Sequence, residues 1–520
     1  MENRNTGKSV LIVDRSHEDL GTLRSCLSRL GFASIMPASS VNMALSLMRE
    51  MQFDLVFSVY EMGDGQKNGL QLLQEANHEK ILSVTSCFFL IVDQETSEVL
   101  HGSLENSPDH FIAKPYDFPR LQTAIEKLMR MKKVLASVEG LIDSGKLESV
   151  PQACDQVMGQ YPGLHQYLLR IKAIALLGQG EYEQALLLFE SMTKSRELPW
   201  AEVGKGMACY HLGRFKQAAG YFHRLIDQGQ VSLEAYLWLA RCYRDSCELE
   251  RAVMLLRKAV MLQPCMPLLQ AELADLAFQA GQYPLSVTAY QEAIQYAKHS
   301  VFQTPEWYFG CARALGLCNG QGQAERDMVE LLERVGMEFE TLEVKFIAKL
   351  MASVFYRESG NEQRQLQILQ DAWRLYQSLP QSEQCERMEL MADAVQDTEL
   401  AAGFQERRRE VNKWMLELPW GRHNLKGMAA FKKGDVKLAY ECFSAAQQTL
   451  PTHMSIALNR VQASLELVKQ DPHNALPLLL ACADIMRGIN FAALTRSQQS
   501  RYTRFSERCA QLLPELSANT

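Results

Sequence analysis

The sequence predicts an α/β doubly wound domain followed by an all-α superhelical solenoid. Three observations carry this. Near its start, short apolar runs alternate with helix-period segments. Beyond that, a helical motif recurs at intervals of 33 and 34 residues. The chain has 520 residues, 47% of them hydrophobic, which is enough for more than one core.

The first part reads in order. VLIV ends at Asp14, and a helical pattern follows with Leu20, Leu23, Leu27 and Leu30 on one face, stopped by Gly31. A weak strand at Ser34, a helix over 40–51 and the strand 54–59 come next. Then come a helix near 69–77, the apolar strand 87–92, a short helix around 95–105 and the strand 110–113, which runs into Lys114 and Pro115. Near-continuous apolar strands alternating with helices imply a parallel sheet covered on both faces.

Over residues 8–131 these segments resemble a bacterial response-regulator receiver domain, of flavodoxin-like (CheY-like) fold. VLIVDRSHEDLGTLRSCLSRLGF is similar to its first strand and helix, FDLVFSVYEM…NGLQLL to its third strand and following helix, and FIAKPYD to its fifth strand. The resemblance implies a site at the carboxyl ends of the strands. There an aspartate would attack a phosphoryl donor while neighbouring acids hold Mg²⁺. In this chain the acceptor position carries Val59. Of the adjacent acidic pair, Asp14 is kept and its partner is Arg15; the hydroxyl position is Val92, the switch aromatic is Phe111, and Lys114 survives. Asp14 and Lys114 are expected to pair with each other or with solvent. Glu61 or Asp64 could replace the acceptor only by a slip that breaks the alignment of Met62 and Gly69. A degenerate receiver is therefore expected, with no catalytic residue, cofactor or metal.

The second part repeats one pattern: Gly180, Tyr182, Ala185, Phe189; Gly213, Phe215, Ala218, Phe222; Cys247, Leu249, Ala252, Leu256; Gly281, Tyr283, Ser286, Tyr290. This resembles the tetratricopeptide repeat (TPR). Small residues at Ala173, Gly206, Ala240 and Ala274 let paired helices approach, and aromatics at Phe189, Phe222 and Tyr290 fill the gap to the neighbouring unit. One unit cannot bury its own apolar face, so stacking follows. Connecting helices are expected over 132–165 and repeats over 166–300. Divergent helical repeats are expected over 301–419, with 383–414 a charged stretch lacking a convincing turn. A final unit with capping helices is expected over 420–513. Little Gly or Pro separates the receiver from the array, so a stiff joint is expected.

The resemblance implies a groove for protein partners lined by the first helix of each pair: Arg170, Ile174, Val203, Met207, Tyr210, Leu237, Arg241, Arg244, Asp275, Phe278, Tyr308 and Leu315. Arg241 and Arg244 lie three apart, so both can face one carboxylate-bearing ligand. They can equally be solvated or pair with Asp275, and Met207, Tyr210 and Phe278 can equally be core between repeats. The Lys/Asn pattern of a carboxylate clamp is missing.

Composition excludes several classes. The net charge is −7, of which −6 falls in residues 1–128, so no basic field attracts nucleic acid or anionic membrane. The thirteen cysteines show no CxxC or zinc spacing and fit a reduced, cytoplasmic protein. The longest apolar run, Cys87 to Val92, is too short to span a bilayer. Thr6-Gly-Lys-Ser9 precedes a strand and lacks the upstream glycine of a phosphate loop. Arg407 to Arg409 is flanked by glutamates and reads as a solvated face. The expectation is a non-catalytic bacterial signalling scaffold of two-component type, binding protein through the repeats and using the receiver to dock or form a homodimer. The alternative is a working phosphorelay response regulator whose repeats act on transcription.

Overall fold

The computed structural model describes residues 5–517 except 64–65, 94–107, 195–197, 230–231, 299, 319–322 and 472–474. The expected helix at 95–105 and Asp64 lie outside the described residues. The chain forms two compact units. The first comprises Met1–Cys242, Leu255–Pro267 and Gln295–Gln303; the second comprises Tyr243–Met254, Leu268–Ile294 and Thr304–Thr520.

Unit 1 begins with a five-stranded parallel sheet: β1 (Ser9–Val13), β2 (Ser34–Ala38), β3 (Leu55–Val59), β4 (Cys87–Val92) and β5 (His110–Ala113). Its strand order is β2-β1-β3-β4-β5. Helices α1 (His17–Arg29), α2 (Val41–Glu50) and α3 (Gly69–His78) cover it. Every residue of β3 and β4 is buried, as expected for central strands covered on both faces. Side chains cap the helices: Ser16, Ser40 and Asn68 accept hydrogen bonds from the first turns of α1, α2 and α3.

Helix α4 (Phe118–Asp143) runs unbroken for 26 residues, closing the α/β domain and entering the array. It is tied back to the sheet. Lys132, 6% exposed, donates to the Val84 carbonyl at 2.5 Å and pairs with Asp109 at 2.8 Å and Glu139 at 3.2 Å. Asp143 accepts from the Val84 amide and the Ser83 hydroxyl. A buried, multiply bonded cation at the joint resists bending more than a Gly/Ser linker would.

The array in this unit continues through α5 (Val150–Gln160), α6 (His165–Gln179), α7 (Tyr182–Thr193), α8 (Pro199–His211), α9 (Phe215–Asp227) and the first part of α10 (Leu233–Asp245). It also holds the end of α11 (Leu249–Leu262). The approach of α8 to α9 depends on Gly206, because a methyl group there would collide with the ring of Phe222, which is fully buried. Gly206→Ala is expected to cost about 1–3 kcal/mol by overpacking. Phe222→Leu added to it should recover most of that loss, as measured by urea unfolding. A double mutant no more stable than Gly206→Ala would refute the contact.

Unit 2 contains α12 (Pro267–Gln279) beyond its first residue, α13 (Tyr283–Tyr296) up to Ile294, α14 (Pro305–Leu317), α15 (Gln323–Glu338), α16 (Leu342–Glu358) and α17 (Glu362–Ser378). There follow α18 (Gln381–Val395), α19 (Ala401–Glu417), α20 (Pro419–Lys432), α21 (Val436–Thr449), α22 (Met454–Gln470), α23 (Ala475–Arg487) and α24 (Arg496–Ser517). The turns share one geometry. Gly281 and Gly434 have positive φ, and the next amide reaches back to close the helix: Gln282 N–H to Ala277 O at 2.8 Å and Asp435 N–H to Ala430 O at 3.0 Å. Cys247 makes the same turn at φ 60° without glycine's freedom. Residues 383–414, expected to lack a turn, form the helix pair α18 and α19, with Asp397 left-handed at φ 62°. An aspartate tolerates that region through local side-chain bonding, which hid the turn from a search for glycine.

Candidate functional site

The strands of the α/β domain deliver their carboxyl ends to one edge. Asp14 follows β1, Val59 ends β3, Val92 ends β4 and Lys114 follows β5. Register places Val59 beside Ile91 and Val92 beside Ala113. Val59 and Val92 are 5% and 2% exposed, and Phe111 packs half-buried against the same core. The third strand therefore ends in buried hydrocarbon.

The charged groups are arranged around it. Asp14 is buried and accepts from the Ser16 amide at 2.8 Å. Burial raises its pKa, and the hydrogen bond and Lys114 offset this only partly. Lys114 donates to Asp19 at 2.8 Å, where the sequence leads one to expect Asp14 or solvent as its partner. The cause is local: Asp19 sits in the first turn of α1, and its side chain is far more exposed, so pairing there requires less desolvation. Burial pulls the Lys114 ammonium down, but the Asp19 hydrogen bond and the carboxylates of Asp14, Asp19 and Asp93 hold it above its usual value. The exposed Arg15 extends over Gly63 in the loop after β3, so close that a methyl group on Gly63 would strike its guanidinium. Glu61 is exposed on that loop. Among the described residues, no three His, Cys, Asp or Glu side chains converge as a metal site.

The opposite edge of α3 is engaged within unit 1. Gln71 caps α3 through its Oε1 and donates through Nε2 to the Cys265 carbonyl. The Gln74 amide lies 3.9 Å from the Met266 sulfur, and the His78 ring sits 5.0 Å from that of Phe302. Glu75, 1% exposed, is paired with Lys67 at 2.9 Å; burial raises its pKa, opposed by the Lys67 and Ser300 hydrogen bonds. Sequence reasoning missed this contact. No periodicity relates residues 194 positions apart.

The expected groove residues are placed less uniformly. Met207, Tyr210, Phe278 and Tyr308 are core, between 1% and 6% exposed, so they pack between helices and do not line an open face. Val203 and Leu315 are buried as well, whereas Ile174 is 40% exposed. Tyr210 meets Trp238 edge-on at 5.1 Å, and Tyr308 donates to Glu338. Arg241 covers the Trp238 ring at 4.6 Å. Arg244 pairs with Asp245 at 2.8 Å and Glu272 at 3.5 Å. Arg170 lies 5.3 Å from the Trp200 ring centre, its pKa lowered by burial. Asp275 accepts from Tyr290, and burial pushes its carboxyl up to about 6. Leu237 is half-buried.

Residues 10–126 match the response regulator receiver domain family, and residues 172–230 and 203–265 match the tetratricopeptide repeat family. The chain carries a receiver domain followed by tetratricopeptide repeats. Together they suggest a signalling protein with a protein-interaction role. No curated protein matches the chain. Among solved structures, a CheY-like receiver domain protein from Methanospirillum hungatei JF-1 is 21% identical, covering 24% of this chain and 96% of that one, with a TM-score of 0.21. MamA 41-end from Desulfovibrio magneticus RS-1 is 18% identical, covering 32% of this chain and 95% of that one, with a TM-score of 0.28. The receiver domain of a signal transduction histidine kinase from Syntrophus aciditrophicus is 21% identical over 24% of this chain and 91% of that one, at a TM-score of 0.21. Among the described residues no helix is long and apolar enough to cross a membrane.

Proposed function

We propose that this protein is a non-catalytic, cytoplasmic adaptor of bacterial two-component type, in which a pseudo-receiver and a TPR array both bind protein. One observation carries the reading: the buried hydrocarbon of Val59 closes the end of β3. A valine has no lone pair to attack phosphorus and no oxygen to hold Mg²⁺. Arg15 adds a positive charge where a second acid would help bind the cation, and Lys114 is engaged with Asp19. Such a receiver keeps one conformation and serves as a docking or dimerising surface.

The partner-facing set in unit 1 is Arg170, Ile174, Leu237 and Arg241. These groups keep some exposure, and each of the two guanidinium groups is backed by an indole ring. Planar guanidinium held against an aromatic face is preorganised for a carboxylate on a protein partner. No nucleic acid is expected as a ligand.

The retained Asp14 and Lys114 favour one second reading, a phosphorylated response regulator with a TPR output acting on transcription. Incubation of the full chain with acetyl phosphate and Mg²⁺, followed by an assay for acid-labile phosphate, separates the two. The expected result is no incorporation. Stoichiometric labelling that Glu61→Gln abolishes would overturn the adaptor reading and place the acceptor in the loop after β3.

A further inference from the structure

Unit 2 contains a half-enclosed cavity of about 200 Å³ between α12, α14, α16, α18 and the segment leading into α24. Its walls are apolar, with Phe278, Met328, Leu350, Met351, Val354 and Phe355 among them. Charged and polar residues line it too, among them Arg313, Thr495 and Gln499. Arg313 lines the cavity, and among the described residues its one hydrogen bond is to the Leu494 carbonyl, with no ion pair. A guanidinium has five N–H donors, and Arg313 is half-buried, so donors not used on the Leu494 carbonyl remain for a ligand. Burial pulls Arg313 down to about 10, only partly opposed by Tyr290, Glu358 and Asp393.

The other charged lining residues are Arg357, Glu358, Asp393 and Arg496. Arg496 pairs with Glu358 at 2.6 Å, and Arg357 donates to the Asp393 carbonyl at 3.1 Å. With Arg313, Arg357 and Arg496 set against Glu358 and Asp393, the lining carries one positive charge in excess, and among the described residues neither Arg313 nor Arg357 forms an ion pair. A single negative charge balances that excess. A dianion such as phosphate would place its second charge near Glu358 and Asp393, whose carboxylates repel it.

We infer that this cavity is a binding site for a small organic monocarboxylate with an apolar tail, its carboxylate on Arg313 and its tail among Met328, Leu350 and Phe355. The planar fork of arginine matches a carboxylate with two parallel hydrogen bonds, while an apolar cleft with few polar groups suits the tail. The site is independent of the receiver and of the adaptor reading.

Isothermal titration of the full-length protein with 4-phenylbutyrate tests this. Binding should be at least tenfold weaker for 4-phenylbutanamide, which keeps the shape and loses the charge, and inorganic phosphate should not bind. Arg313→Gln should weaken phenylbutyrate at least tenfold. Met351→Trp, which fills the cavity from its wall, should do the same, and it decides the matter if Arg313→Gln fails to fold. Equal binding of acid and amide, undiminished binding to either folded variant, or no binding at millimolar acid would overturn the proposal. Tighter binding by a leucine-terminated peptide than by the free acid would overturn the small-molecule assignment.

Discussion

Lys132→Met is expected to destabilise the protein by about 3–5 kcal/mol at pH 7, because it strips the shared partner from two carboxylates that stay behind. Lys132 holds Asp109 and Glu139, and Glu139 is only 1% exposed. Burial already pushes the Glu139 carboxyl up to about 7 despite Lys132, and it raises Asp109 as well. For acids whose folded pKa is raised, the stability is fully present below the unfolded value and is lost as pH rises through the folded one. Without the ammonium both folded values rise further. The loss should therefore shrink towards pH 4–5 and widen towards pH 8. Adding Asp109→Asn and Glu139→Gln should remove most of the penalty, since no buried charge is then left alone. Urea unfolding at pH 5 and pH 8 checks this; a loss under about 1 kcal/mol, or one independent of pH, would show that the joint is not held by this triad.

The second expectation concerns the pocket. Val59→Asp combined with Arg15→Asp should produce a protein whose stability depends on Mg²⁺, while the parent's does not. With Asp14, the two substitutions would place three carboxylates at the ends of β1 and β3, where Asp14 is already raised by burial. Crowded acids repel one another, costing about 2–4 kcal/mol without metal. A hard divalent cation reverses the repulsion, so millimolar Mg²⁺ should restore stability by mass action. Val59→Asp alone should show a much smaller metal response, because Arg15 keeps its positive charge over the loop at Gly63. Thermal unfolding with and without Mg²⁺ is the measurement. Equal responses of the single and double variants would remove Arg15 as the group that opposes Mg²⁺ binding here.

Much of the fold was legible because its signals are local. The burial of β3 and β4 follows from apolar runs, and the repeat turns follow from glycines such as Gly281 and Gly434. The turn between α18 and α19 was not, because Asp397 performs glycine's role there. The candidate site was legible only in part. That Val59 ends β3 could be read from the strand and its landmarks; that Lys114 reaches Asp19 could not, since either carboxylate is compatible with the spacing. In the array, helical period marks an apolar face without saying which side it faces. Tyr210 and Tyr308 accordingly proved to be core, and Arg244 belongs to Asp245 and Glu272.

By itself the sequence determined the order of elements and the valine that ends the third strand, because backbone periodicity and side-chain chemistry are properties of neighbouring residues. Tertiary structure alone decided who partners whom: Lys132 with Asp109, Gln71 with Cys265, and Arg313 with the Leu494 carbonyl. Those choices depend on distance and desolvation in three dimensions, which a linear pattern does not encode.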